Sequence, residues 1–179
     1  MKATGIVRRI DDLGRVVIPK EIRRTMRIRE GDPLEIFTNT DGEVIFKKFS
    51  PIGEISDGAL QAAEVIAKLG GAPAVIFDMD HVVAVSGLPR KEYSQRRLSP
   101  ALEEMLESRK SYEYGRGGEV FRPVEGISAN ALAVSPIISN GDITGAVAFM
   151  SSKEGEYATE KQTMLCRAAA MFLGKQIES

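Results

Sequence analysis

Arginine and lysine side chains are concentrated in residues 4–29, where eight basic and three acidic groups give a net charge of +5. The whole chain has a formal charge of −1. A guanidinium group pairs bidentately with phosphate and with guanine edges, whereas an ammonium acts as a point charge. The basic residues are Arg8, Arg9, Arg15, Lys20, Arg23, Arg24, Arg27 and Arg29. The stretch therefore indicates an anionic partner, and double-stranded DNA is the first candidate.

A charge run can also be a solvated surface without a partner. Here the charges alternate with apolar residues in two strand-like runs, residues 5–10 and 15–18. Between them, residues 11–14 have turn chemistry, and Gly14 is free to take a positive φ. The alternation favours a folded surface that displays the cations.

The elements that would position these cations follow along the first fifty residues. Pro19 suits the first turn of a helix over residues 20–26, with Ile22 and Met26 facing inward. Residues 34–38 and 43–48 flank Asp41-Gly42, which predicts a hairpin. So short a module cannot bury a sufficient core alone, so we expect residues 1–50 to form a homodimer that matches two DNA half-sites.

The rest of the chain has a different charge and a different pattern. Residues 1–50 have a net charge of +3 and residues 51–179 a net charge of −4, which favours two modules. We predict a DNA-binding domain over 1–50, a linker over 51–55 and a second domain over 56–179.

In the second domain, the sequence predicts helices over 56–69, 99–109 and 159–177, strands over 74–79, 82–86 and 119–122, and a hairpin of 131–138 with 143–151. The fold class is therefore α+β, with an antiparallel sheet and helices on its faces.

Finer signals support the last two of these elements. Asn140-Gly141 is a hairpin signal, and Thr159-x-x-Gln162 predicts a capping box at the start of the last helix. The inward stripe of that helix is predicted as Leu165, Ala168, Ala169 and Phe172.

Catalytic chemistry is poorly represented. The single histidine, His81, follows Asp78 and Asp80 at a predicted turn, where these residue types are ordinary. The single cysteine, Cys166, has no partner for a disulfide and is expected to be buried and inert. Gly115-Arg116-Gly117-Gly118 lacks the spacing of a phosphate-binding loop. We therefore expect no enzyme activity, no metal and no cofactor. No apolar run approaches 18 residues, which predicts a cytoplasmic protein without a membrane span.

The first fifty residues resemble the DNA-binding domain of the AbrB transition-state regulators. The resemblance lies in Thr4–Pro19, read as TGIVRRIDDLGRVVIP, and in Glu21–Thr25, read as EIRRT. It implies a swapped-hairpin β-barrel, in which two chains interleave, and it implies that Arg8, Arg15, Arg23 and Arg24 meet DNA. Arg9 and Lys20 complete the predicted DNA-binding set. A module without a long recognition helix should read groove shape as much as base identity, so we expect a loose, AT-tolerant consensus.

The second domain resembles a GAF domain, in its element order and in the hairpin ITGAVAFMS before a terminal helix. GAF domains often hold a small ligand between the sheet and the loops over it, but the motif for cyclic nucleotides is not apparent here. Together the resemblances imply a regulator that activates and represses sporulation genes, with a GAF-like domain that is a candidate sensor of an unidentified small molecule. We also expect this domain to form a homotetramer, because helices 56–69 and 159–177 are richer in Ala, Met and Leu than one small sheet needs to cover itself. The alternatives are a swapped-hairpin antitoxin that autoregulates its operon, and an enzyme with a basic substrate-binding arm.

Overall fold

The structure is a computed structural model that describes residues 4–178. The chain divides into two compact units, Met1–Phe49 and Ser50–Ser179. Both contain helices and antiparallel strands, so the predicted α+β class is confirmed.

The first unit contains one short helix and one hairpin. Helix α1 spans Lys20–Thr25 and follows Pro19, which is its N-cap residue. Strands β1 (Leu34–Thr38) and β2 (Val44–Lys48) pair antiparallel, with Ile36 opposite Phe46. The side chain of Asn39 accepts hydrogen bonds from the backbone N–H groups of Asp41 (3.1 Å) and Glu43 (3.0 Å), and Gly42 has a φ of 79°. The hairpin predicted at Asp41-Gly42 is therefore confirmed.

The strands predicted over residues 5–10 and 15–18 are not formed by this single chain. A strand needs a ladder partner, and within the described residues 4–49 only β1 and β2 pair with each other. Met26, predicted to face inward, follows the end of α1 and is exposed. Among residues 4–49, only Pro19 is buried. One copy of this unit thus has neither a closed barrel nor a core.

The second unit is built on a five-stranded antiparallel sheet. The strand order is β4-β3-β7-β6-β5, so β4 and β5 form its edges. The strands are β3 (Ala74–Phe77), β4 (Val82–Ser86), β5 (Tyr112–Glu113), β6 (Ala131–Ser139) and β7 (Asp142–Met150). The helices are α2 (Pro51–Glu54), α3 (Ser56–Gly70), α4 (Arg90–Tyr93), α5 (Pro100–Glu107) and α6 (Glu160–Ile177). The hairpin at Asn140-Gly141 is confirmed, since it joins β6 and β7 with positive φ at both residues.

The sheet has an apolar core on each face, because successive strand residues point to opposite sides. Val147 and Phe149 of β7 belong to the core under α3 and α6. Ala146, Ala148 and Met150 belong to the core under α5 and the loops. A sheet buried on both faces accounts for the nearly continuous apolar sequence of β6 and β7.

Helices α3 and α6 pack side by side in opposite directions. The Nε2 of Gln162, near the start of α6, donates a hydrogen bond to the carbonyl oxygen of Gly70 at the end of α3 (3.1 Å). At the other end, Oε1 of Gln176 lies beside Gly58. Gln162 also forms the predicted capping box with Thr159, which is confirmed.

Three predicted details differ from the structure. Residues 119–122 form no strand; the edge strand is β5, two residues long, at 112–113. Residues 51–55, expected to be a linker, include the helical turn α2, and its Ile52 is fully buried in the second unit. The buried stripe of α6 includes Cys166, Ala169, Ala170 and Leu173, so the prediction is confirmed for Ala169 and wrong for Ala168 and Phe172, which are exposed.

Candidate nucleic-acid interface

Helix α1 displays three of the predicted DNA-binding side chains. Lys20, Arg23 and Arg24 are exposed and lie three and four residues apart, so they project from neighbouring positions of one helix. The end of the helix is fixed by hydrogen bonds from Met26 N–H to the Ile22 carbonyl oxygen and from Ile28 N–H to that of Arg23, both 2.8 Å. A short helix with defined ends therefore presents a compact cationic group.

The turn over residues 11–15 holds Arg15. Oδ2 of Asp11 accepts a hydrogen bond from Nε of Arg15 (2.8 Å), and its Oδ1 accepts from the backbone N–H groups of Arg15 (2.8 Å) and Leu13 (3.0 Å). Gly14 closes the turn with a φ of 76°, as predicted. Arg15 keeps 69% of its side-chain surface exposed, so the guanidinium is oriented without being covered.

The hydrogen bonds to Asp11 also affect its ionisation. The backbone N–H of Arg15, followed by its guanidinium, holds the pKa of the Asp11 carboxyl below its usual value. The sequence pattern predicts only that Asp11 lies in a turn, and its role in orienting Arg15 is visible only in the structure. The sequence signal that could have indicated this contact is Asp11 before the turn glycine, Gly14, with Arg15 directly after it.

Arg8 and Arg9 precede this turn, in a segment that forms neither helix nor strand, and both are exposed. The structure thus places Lys20, Arg23 and Arg24 together and orients Arg15 through Asp11, while Arg8 and Arg9 lie outside any helix or strand. It gives no contact that joins all six.

Opposite charges are segregated within the first unit. Residues 30–46, which include the hairpin turn, have five acidic side chains and no basic one. The lysines at the end of β2 are engaged locally: Nζ of Lys48 lies 3.4 Å from Oδ2 of Asp32, and Nζ of Lys47 lies 4.6 Å from the centroid of the Phe37 ring. An anionic polymer would therefore be attracted to residues 4–29 and repelled by the hairpin turn.

In the second unit, of the side chains considered for catalysis, that of Asp78 hydrogen-bonds to the backbone of a turn and that of Cys166 is buried in the core. Oδ1 of Asp78 accepts hydrogen bonds from the backbone N–H groups of Asp80 and His81, both 2.7 Å. Its Oδ2 accepts from the hydroxyl of Ser50 (2.8 Å), which also caps α2. Cys166 is fully buried, and burial raises the pKa of its thiol to about 12. Within residues 4–178, no three His, Cys, Asp or Glu side chains group as metal ligands, and no helix is long and apolar enough to cross a membrane.

Comparison with known proteins identifies the class of each unit. The transition state regulatory protein AbrB of Bacillus subtilis is 44% identical over 89 residues, which cover 45% of this chain and 92% of AbrB. The GAF domain of an Acinetobacter phosphoenolpyruvate-protein phosphotransferase is 12% identical and superposes with a TM-score of 0.54, covering 73% of this chain and 84% of that domain. The fold and the cationic surface thus define a regulator that combines an AbrB-like unit with a GAF-fold unit.

The whole chain gives the more specific identification. The family described as "Stage V sporulation protein T C-terminal, transcription factor" matches residues 54–178. Stage V sporulation protein T of Bacillus subtilis is 48% identical over 180 residues, 99% of both chains. The chain belongs to the stage V sporulation protein T family of transcription factors. A second family, described as "Antidote-toxin recognition MazE, bacterial antitoxin", matches residues 7–51.

Proposed function

We propose that this protein regulates sporulation genes by binding double-stranded DNA through residues 4–29 of two interleaved chains. The observation that carries the proposal is the exposed cationic group of α1 and Arg15, in a stretch of net charge +5. Membership of a family of transcription factors supports the regulatory role. The protein would act in the cytoplasm, where bacterial DNA is found.

The exposed apolar surface of the first unit supports the dimer. Residues 4–49 expose twelve large apolar side chains, and Val7 is 85% exposed. An isolated folded chain rarely leaves so much apolar surface in water. A second copy would give residues 5–10 and 15–18 the ladder partners that one chain lacks.

A second apolar surface supports further assembly through the GAF-fold unit. Val65 and Leu69 of α3 and Met164, Met171 and Phe172 of α6 are all more than half exposed. The antiparallel packing of these helices puts Leu69 at the level of Met164 and Val65 at the level of Ala168, so both helices carry exposed side chains at matching levels. We infer that this surface joins two dimers into a homotetramer, which would place four DNA-binding units on one assembly.

The antitoxin alternative has support from the family match over residues 7–51. Against it, residues 50–178 form a folded unit with two apolar cores, where an antitoxin would have a short toxin-binding tail. Deleting the gene distinguishes the two, because loss of an antitoxin releases its toxin. A viable deletion strain with altered sporulation supports the regulator, and a lethal deletion that is rescued by removing a neighbouring gene supports the antitoxin.

DNA binding itself is tested with single substitutions in the full chain. Replacing Arg8, Arg9, Arg15, Lys20, Arg23 or Arg24 by alanine should weaken binding to promoter DNA, by about 1–3 kcal/mol for an arginine that contacts a base edge. Light scattering on the same samples shows whether assembly is kept. Unchanged affinity in all six variants would overturn the proposed interface.

A further inference from the structure

A small open cavity of about 70 Å³ lies beside β4, an edge strand of the sheet in the GAF-fold unit. Its apolar floor is formed by Val83, Ala84 and Val85 of β4 with Leu60 of α3. Its polar lining comes from Ser56 and Asp57 at the start of α3 and from Arg90 and Ser94 at α4. We call this cavity the β4 slot.

The β4 slot differs from the place where a GAF domain would be expected to hold a ligand. The space between the sheet and the loops over it contains a packed core, in which Leu98, Leu102, Leu106 and Val124 are buried. A ligand there would have to displace these side chains. The β4 slot opens at the edge of the sheet instead, where Val82 and Val85 of that core form part of its lining.

The lining of the slot combines one carboxylate and one guanidinium. Neither Asp57 nor Arg90 has an ion-pair partner among residues 4–178, and both side chains are exposed. A carboxylate recognises an ammonium group, and a guanidinium recognises a carboxylate. Hydroxyl groups such as those of Ser56 and Ser94 can donate or accept hydrogen bonds with either end.

We propose that the β4 slot binds a small zwitterion, a free α-amino acid such as glycine or alanine. Its carboxylate would pair with Arg90 and its ammonium with Asp57, while its carbon atoms would rest on the floor formed by β4 and Leu60. An effect of this ligand on gene regulation would rest on the proposed function, whereas binding of the ligand to the slot does not depend on it.

The size of the slot limits the ligand. A water molecule needs about 10–15 Å³ of such a cavity, so about 70 Å³ admits roughly five to seven heavy atoms. Glycine and alanine have this size. An open slot with exposed charges gives modest affinity, and a Kd of about 1 mM corresponds to about −4 kcal/mol, well within the range for a ligand of this size.

The binding test uses methyl-detected NMR on the full chain, because Leu60, Val83 and Val85 line the slot and carry methyl groups that report on their surroundings. Glycine and L-alanine, added to about ten times the expected millimolar Kd, should shift these methyl signals and saturate. Acetate and methylammonium, which carry one charge each, should bind at least about tenfold more weakly than glycine. Shifts at Leu60, Val83 and Val85 that are absent, or equal for acetate and glycine, would overturn the proposal.

Two variants and two matched controls assign the charges. Arg90→Gln and Asp57→Asn should each weaken glycine binding by about tenfold, the ratio that corresponds to about 1.4 kcal/mol. The controls are Lys91→Gln on α4 and Glu64→Gln on α3, which are exposed and do not line the slot; their affinity for glycine should match that of the wild type. Equal affinities in the Arg90→Gln, Asp57→Asn and control proteins would refute the assignment.

DNA affinity is then measured with and without glycine. If glycine binding saturates but DNA affinity is unchanged, the binding site is supported and its regulatory role is refuted. A protein that binds glycine but not DNA rejects the proposed function while the site stands. The two failures are therefore distinguishable.

Discussion

The salt dependence of DNA binding provides the sharpest test of the proposed interface. We consider the double variant Arg23→Gln/Arg24→Gln, which removes two of the three cations displayed by α1. Glutamine has nearly the helix propensity of arginine, so α1 should be retained. The backbone hydrogen bonds that end the helix use the carbonyl oxygens of residues 22, 23 and 24, and the substitution leaves them in place.

The magnitude follows from counting cations. If six basic side chains on each of two chains neutralise phosphates, the slope of log K against log salt is about −11. Removing two per chain reduces its size to about −7. Between about 50 and 200 mM salt, the wild-type constant would then fall by about 10⁶ and that of the variant by about 10⁴. These figures are upper limits, since an arginine that reads a base edge contributes less to the slope.

Fluorescence anisotropy with a labelled promoter duplex, titrated at several salt concentrations, gives the slopes. The matched control is Arg116→Gln, which removes one exposed arginine from the second unit. It should leave the wild-type slope unchanged. Equal slopes for the double variant and the wild type would show that α1 does not meet phosphate, and the electrostatic argument would fail.

Three further outcomes are expected. Gly145→Ala should lower the free energy of unfolding of the second unit by about 3 kcal/mol in urea titrations, because the Cβ of the alanine would lie 2.0 Å from the Phe77 carbonyl oxygen. The control is Gly115→Ala, since a Cβ there would have nothing within 4 Å. It should change the free energy of unfolding by less than about 0.5 kcal/mol. The Asp11 carboxyl should titrate below its usual pKa: it favours the folded turn above pH about 4 and loses this effect as the pH falls through the lowered pKa. An NMR titration that follows Asp11 and Nε of Arg15 checks this, and a midpoint at or above the ordinary value would contradict it. A fragment of residues 1–53 should melt at a temperature that rises with its concentration, and a folded monomer in dilute solution would count against the interleaved dimer.

Local signals in the sequence were enough to predict much of this fold. The capping box of Thr159 and Gln162 and the turns at Gly42 and Gly141 depend on residues a few positions apart, so the sequence alone identifies them. Strand β5 could not be predicted in this way. It has only two residues, and it exists because β6, about twenty residues later, offers a ladder edge to Tyr112 and Glu113.

The remaining differences between prediction and structure occur where apolar residues lie outside the core of their own unit. Helix α6 has apolar side chains on two sides, and periodicity alone did not distinguish the stripe of Cys166 and Leu173, which faces the sheet, from the exposed side chains of Met171 and Phe172. Residues 5–10 have the alternation of a strand, yet they pair with no strand within the described residues 4–178. For the proposed cationic site, the sequence predicts the arginines, but only the structure shows that Asp11 orients Arg15.

The two exposed apolar surfaces have a joint consequence for stability. If the α3–α6 surface associates, the DNA-binding units of neighbouring chains are linked, and each one meets its partner at an effective concentration of about millimolar. A fragment of residues 1–53 at about 10 µM lacks this link and meets its partner at a concentration about a hundredfold lower, which costs about 2.7 kcal/mol. Replacing Phe172, which is 54% exposed, by glutamate should break the link without disturbing the core of α6. The first unit of that variant should then melt with the same dependence on concentration as the fragment. If it melts as it does in the wild-type chain, the second unit does not support the dimer of the first.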